Sequence, residues 1–193
     1  LNRLNKASAK VSMGLLTSEF PDMTGYGRII RNKKAVLKIV EERDCNPEEK
    51  KIIEGNAGVY QCDSVLIRHA VKQLKSNNSQ GEFYLTDIVE MAANEKGAVG
   101  ISVNDWKEVM GVNTQAQLAL VESTHRNRMI AELQNRGTTF LDPENTFLDA
   151  DVTIAKDVTI GVGVQLYGKS AIKSGVRIDG PSYIKNCIID SNA

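Results

Sequence analysis

Apolar residues recur along this chain in three rhythms, and the last is the most regular. From Leu148 an aliphatic side chain returns every six positions, at Leu148, Ile154, Ile160, Leu166, Ile172, Ile178 and Ile184. Ile, Leu and Val make up 47 of the 193 residues, so seven in register arise by chance only about once in a few thousand after allowing for six phases. Four positions after each come Val152, Val158, Val164, Ser170, Val176, Ser182 and Ile188, nearly all small or β-branched. The spacing predicts a coil of three short strands per turn, with the aliphatic residue pointing inward and the smaller one near each corner. At about 18 residues per coil the repeat spans little more than two coils, whereas solenoids generally need three or more repeats. More chain is therefore expected beyond Ala193, or a neighbouring subunit over the open end.

Ahead of the repeat the rhythm alternates between strand and helix. Residues 2–9 read as a helix end and Ser12–Thr17 as a buried strand, followed by a loop rich in Pro, Asp, Thr and Gly. Arg28–Arg31 and Ala35–Glu41 read as a hairpin, the charged stretch from Glu42 to Glu54 as a surface excursion, and Asn56–Gln61 as another strand. Asp63 or Ser64 caps a helix through Leu66, Ile67, Ala70, Val71 and Leu74. Thr86 caps a second through Ile88, Val89 and Ala92, and Val99–Val103 is again a strand. Such alternation indicates an α/β layer domain. Thr114 and Gln117 have the spacing of a capping box, opening a long helix to Arg136 that ends at Gly137, with Leu118, Val121, Met129, Ile130 and Leu133 on its apolar side.

Bulk properties narrow the function classes. Lys+Arg and Asp+Glu tie at 24 each, so no global field draws the chain to nucleic acid or to an anionic membrane. No apolar run approaches the roughly 20 residues that cross a bilayer, and no signal peptide opens the chain. Cys45, Cys62 and Cys187 match no zinc spacing, and an odd, unpatterned set suggests reduced thiols in a cytoplasmic protein. The chain opens on Leu1 inside a helix pattern, so truncation is expected at both ends.

Five segments carry a resemblance: Thr24-Gly-Tyr-Gly-Arg28, Ile39-Val-Glu-Glu42, Asn56-Ala-Gly58, Gln80-Gly-Glu-Phe-Tyr-Leu-Thr-Asp87 and Glu108-Val-Met-Gly-Val-Asn113. In order and spacing, with the hexapeptides behind them, they resemble the bacterial bifunctional N-acetylglucosamine-1-phosphate uridylyltransferase/glucosamine-1-phosphate acetyltransferases, over essentially the whole chain. The resemblance implies the rear part of a Rossmann-like α/β uridylyltransferase domain at 1–112, a linker with a long helix at 113–147, and the start of a left-handed parallel β-helix at 148–193. It also implies synthesis of UDP-N-acetylglucosamine, a precursor for peptidoglycan and lipopolysaccharide, from UTP and the sugar-1-phosphate with Mg2+. Acetyl-CoA would be the co-substrate of the acetyltransferase half, and a homotrimer would form through the β-helix.

Carried over by position, Gly27 places bare backbone against the sugar, Glu41 accepts from sugar hydroxyls, and Asn56 offers a donor and an acceptor. Asn113 helps to hold the magnesium ion, while Glu82, Tyr84 and Thr86 line the N-acetylglucosamine pocket. Taken singly, each has a plainer role: a turn at Thr24–Arg28, a solvated carboxylate at Glu41, a strand start at Asn56, helix caps at Thr86 and Asn113. Their joint order raises them above that. His69, His125 and Trp106 read as structural or solvated.

Two expected features are missing from the sequence: a phosphate-cradling Gly-x-Gly-Thr-Arg loop with its following Lys, and an aspartate partner for magnesium in a Tyr-Gly-Asp setting. Phosphoryl transfer rests on positioning and charge neutralisation. The chain is thus expected to supply a sugar-binding half-site, to hold no catalytic residue and to be silent alone. Two alternatives stay open: another sugar nucleotidyltransferase with a β-helix tail, of ADP-glucose or GDP-mannose type, and a non-catalytic sugar-binding or trimerisation module.

Overall fold

The computed structural model describes residues 2–193, which divide into two compact units with the boundary between Asn113 and Thr114. In the first, helix α1 (Asn2–Ser8) lies against strand β1 (Met13–Glu19) so closely that a Cβ on Gly14 would sit 2.9 Å from Leu4 and Ser8. Strand β1 is buried along nearly all its length, as its unbroken apolar run predicts. It pairs antiparallel with β4 (Glu54–Cys62) and parallel with β5 (Ala98–Ser102). The hairpin of β2 (Arg28–Asn32) and β3 (Ala35–Val40) turns at Lys33, which takes the left-handed φ of 54°.

Strand β2 joins β4, and β3 joins β5, so the five strands close in the order β1-β4-β2-β3-β5. The alternation of elements predicted an α/β layer domain. The unit is mixed α/β, but its sheet closes on itself, and of its pairings only β1–β5 is parallel. Two short helices, α2 (Ser64–Ala70) and α3 (Ile88–Glu95), complete the core through Leu66, Ala70, Ile88, Val89 and Ala92, against Met13, Leu15, Ile29, Val36 and Ile39. Asp63 caps α2 by accepting the Val65 amide. That helix stops at Ala70 and passes into a 3-10 turn, leaving Val71 exposed, short of the predicted run to Leu74.

The second unit opens with helix α4 (Gln115–Asn135), which starts at the predicted capping box. The Thr114 hydroxyl accepts the Gln117 amide at 3.1 Å, and the Gln117 carboxamide accepts the Thr114 amide at 3.0 Å. Ile130 and Leu133 are buried and Met129 packs against the same core, whereas Leu118 at the helix start is exposed. The predicted apolar side is thus used only in its last turns.

Nine short strands follow: β6 (Thr139–Phe140), β7 (Phe147–Leu148), β8 (Thr153–Ile154), β9 (Thr159–Ile160), β10 (Val164–Tyr167), β11 (Ala171–Ile172), β12 (Arg177–Ile178), β13 (Ser182–Lys185) and β14 (Ile188–Ile189). They stack into three parallel sheets, β6-β9-β12, β7-β10-β13 and β8-β11-β14. Leu148 stacks under Leu166 and that under Ile184, and Ile160 lies under Ile178, each 18 residues on. Val158, Val164, Ser170 and Val176 are buried at the corners. The last coil departs from the count. Ile189 stacks on Ile172, one residue early, so Ile188 points out instead of filling a corner.

Close stacking makes Gly161 intolerant of a side chain, because a Cβ there would run into the carbonyl oxygens of Ile178 and Asp179 in the next coil. At Gly180 a Cβ would meet nothing within 4 Å. Gly161→Ala is expected to lose about 1–3 kcal/mol in urea denaturation, while Gly180→Ala stays within about 1 kcal/mol of the parent protein. Equal midpoints for the two variants would contradict this account of the stacking.

Candidate functional site

The turn Thr24–Arg28 is a built structure. Gly25 takes the left-handed φ of 81°, and its amide donates to Glu42 Oε2 at 2.7 Å. Arg28 is buried, and its Nη1 donates to the Met23 carbonyl at 2.8 Å and to the Tyr26 carbonyl, while its Nε has no partner. The Tyr26 ring stacks on Phe20 at 3.9 Å, with Trp106 edge-on to the same phenyl ring at 6.5 Å. The Tyr26 hydroxyl accepts the Gly111 amide at 3.0 Å, which ties the segment ending at Asn113 to this turn. The Asn113 carboxamide lies 3.8 Å from where a Gly25 Cβ would stand.

Beyond the turn, Gly27 faces Glu41. A Cβ at Gly27 would lie 2.7 Å from Ile39 Cγ2 and 3.3 Å from Glu41 Oε2, so the absence of a side chain keeps that carboxylate open. The other carboxylate oxygen, Oε1, accepts the Thr86 hydroxyl at 2.7 Å. Thr86 therefore does not cap α3, contrary to the expectation from its position. It sits buried in a 3-10 turn (Leu85–Asp87), the helix begins at Ile88 without a side-chain cap, and the hydroxyl has a stronger partner in a charged group.

Asn56 joins the same cluster. Its amide N–H donates to the Gly27 carbonyl at 2.9 Å, and its Oδ1 accepts the Gly58 amide at 3.0 Å. Its Nδ2 donates to the Tyr60 hydroxyl at 2.6 Å. Burial pushes the Tyr60 phenol up to about 12; the Asn56 hydrogen bond opposes the shift and the Glu41 charge adds to it. Tyr60 was not among the residues the sequence singled out. Strand spacing says which way a side chain points, but not that its hydroxyl meets an amide four residues back.

The structure thus gathers Gly27, Glu41, Asn56 and Thr86. Tyr84 lies at the edge, where a pocket of about 270 Å³ takes in Glu41, Asp44, Tyr84 and Asp87. The Tyr84 hydroxyl accepts from Gln80 Nε2 at 2.7 Å. Asp44 accepts the Ser79 amide at 2.9 Å, and that bond holds its carboxyl below the usual range despite some burial, helped by the Ser79 and Tyr84 hydroxyls. Burial, with the charges of Glu90 and Asp44, pushes Asp87 up. Glu82 is exposed in the loop and does not line this pocket. A larger pocket of about 620 Å³, beside Leu16, Ile101 and Glu108, contains none of the seven predicted residues.

Magnesium favours six oxygen ligands. Asn113 has one side-chain amide oxygen to offer, and the described residues hold no group of three or more His, Cys, Asp or Glu suited to a metal. They do not by themselves fit a magnesium site. Among the described residues no helix is long and apolar enough to cross a membrane.

The Tyr60 shift carries a pH signature. The folded state favours the neutral phenol, so its contribution to stability is complete below the ordinary tyrosine value of 10.0 and is lost as pH rises through about 12. In an ultraviolet tyrosinate titration, the component missing from Tyr60→Phe should appear near pH 12. A missing component near pH 10 would refute the buried, hydrogen-bonded phenol.

No family model matches the chain. Curated proteins do. It is 42% identical over 178 residues to "Bifunctional protein GlmU" of Caldanaerobacter subterraneus subsp. tengcongensis, covering 92% of this chain and 38% of that protein. Against the same-named protein of Clostridium perfringens it is 46% identical over 154 residues, 80% of this chain and 34% of the relative. For Clostridium botulinum the figures are 41% over 185 residues, 95% and 40%. The chain therefore spans well under half the length of these relatives. A solved structure, a putative glucose-1-phosphate thymidylyltransferase from Bacillus anthracis in complex with a sucrose, matches with a TM-score of 0.43 at 21% identity over 61% of this chain and 46% of that one, too loosely to carry an argument. Over most of its length the chain is homologous to the bifunctional protein GlmU, of which it represents a partial, GlmU-like region.

Proposed function

We propose that the first unit is the sugar-binding half of a uridylyltransferase site, within a protein that makes UDP-N-acetylglucosamine. One observation carries the reading: a carboxylate held by a buried hydroxyl stands open opposite a residue with no side chain, at Glu41, Thr86 and Gly27. In a chain this close to GlmU, such a group suits sugar hydroxyls. Glu41 Oε2 accepts from them, Asn56 offers a remaining amide proton and lone pair, and the Gly27 backbone lets the ring come close. Tyr84 flanks the N-acetyl side, and Glu82 lies outside that pocket. Asn113 lends one oxygen to Mg2+, whose other ligands come from substrate phosphates and from groups outside the described residues.

In the full reaction a phosphate oxygen of the sugar-1-phosphate attacks the α-phosphate of UTP, the new P–O bond forms, and pyrophosphate leaves. This chain positions the sugar end of the attacking group and lacks the groups that would neutralise the triphosphate, so it is inactive alone. On this reading residues 1–112 are the rear of a Rossmann-like nucleotidyltransferase domain and 113–147 a helical linker. Residues 148–193 begin a left-handed β-helix through which the protein forms a cytoplasmic homotrimer. The longer protein also acetylates glucosamine-1-phosphate with acetyl-CoA.

Titration of the chain with UDP-N-acetylglucosamine by calorimetry tests this. A hydrogen bond to a charged group is worth about 1.5–3 kcal/mol, so Glu41→Gln should weaken binding by about ten- to a hundredfold. Glu82→Gln should change it less than about threefold. Mixing the chain with UTP, Mg2+ and N-acetylglucosamine-1-phosphate should release no pyrophosphate above background. Undiminished affinity in Glu41→Gln would overturn the sugar-site reading.

A further inference from the structure

The amide of Asn56 is held at both ends before any ligand arrives. Its Oδ1 accepts the Gly58 amide at 3.0 Å, made possible by the left-handed φ of 71° at Gly58, and its Nδ2 donates to the Tyr60 hydroxyl at 2.6 Å. An asparagine side chain is two-fold ambiguous by shape, since its oxygen and nitrogen swap on a half-turn. Here the half-turn would set the NH2 against the Gly58 N–H, donor facing donor. The Gly58 contact alone would accept either lone pair of Oδ1 and leaves the amide plane free to swing. The Tyr60 bond fixes the second point, and two points fix the plane.

We propose that Tyr60 is a positioning residue, locking the Asn56 carboxamide so that one N–H and one oxygen lone pair are aimed in a fixed direction for ligand hydroxyls; this rests on the sugar-site reading above. Tyr60 touches no ligand itself. Its phenol accepts from Asn56 and keeps its own proton. Such a lock acts through preorganisation: it removes rotamer freedom in the free protein that binding would otherwise have to remove.

The test pairs a spectroscopic signature with a double-mutant cycle. In amide spectra of the 15N-labelled chain, the Asn56 side-chain pair is identified by its loss in Asn56→Asp. Tyr60→Phe should shift that pair while leaving the backbone peaks of β1 and β5 in place, which shows an intact fold. Affinity for UDP-N-acetylglucosamine should fall about three- to tenfold in Tyr60→Phe. In an Asn56→Ala background the same substitution should have no further effect. An Asn56 pair that stays put, or an equal loss of affinity in the Asn56→Ala background, overturns the proposal while sugar binding stands. A parent protein that binds no sugar nucleotide overturns the reading beneath it, and the proposal with it.

Discussion

The register of the β2–β3 hairpin is the constraint on which the candidate site depends. Arg28 pairs with Val40 and Ile29 with Ile39, so each pair of partners sums to 68 and the next step outward sets Gly27 against Glu41. Strand β4 enters on the other side with Arg28 opposite Gly55, and the same step sets Gly27 against Asn56, whose amide bonds its carbonyl. Three strand ends are thereby brought to one level, and each contributes one element of the candidate site: Gly27, Glu41 and Asn56. A slip of one residue in the hairpin would turn Glu41 to the opposite face of the sheet. The register goes with burial: Ile29, Val36 and Ile39 all lie in the core, and a slip would move them off it.

Much of this was legible in the sequence because it is periodic. A six-residue repeat names its inward positions directly, and Ile160, Leu166 and Ile172 are fully buried as it requires. The capping box of α4 was legible for another reason, since both of its hydrogen bonds close within four residues. What periodicity cannot carry is a partner far away along the chain. Thr86 has the composition and place of a helix cap, yet its hydroxyl goes to Glu41, 45 positions earlier, because the fold brings a charged acceptor within reach. The closure of the first sheet was hidden similarly. It rests on Ala35 with Val99 and Val36 with Ala98, two pairs that no local pattern announces. Glu82 came in by resemblance alone, and here it stands exposed in its loop.

The coils show the limit of counting from within a repeat. Strand β6 adds a rung ahead of the predicted start, because Phe140 stacks under Ile160 although it stands eight positions, not six, before Leu148. At the far end Ile189 replaces position 190, where the count would have put Asp190 inside. Both departures obey one rule. The core selects whichever nearby apolar side chain can reach it, and the connecting loop absorbs the difference in length, because longer loops cost little.

The chemistry of the cluster also bears on which part of a nucleotide sugar it can serve. Its inward groups are a carboxylate, a carboxamide, hydroxyls and bare backbone, the set that exchanges hydrogen bonds with a polyol. A buried cation beside it, Arg28, turns Nη1 to the carbonyls of Met23 and Tyr26, and its Nη2 lies 4.0 Å from Glu42. A triphosphate brought against Glu41 would meet a like charge in a half-buried setting, which is unfavourable without a compensating cation. A sugar ring in the same place carries no charge and leaves the carboxylate its hydrogen bonds. The charges and hydrogen bonds at Arg28 and Glu41 thus support the proposed reading, in which the sugar lies here and the phosphates elsewhere.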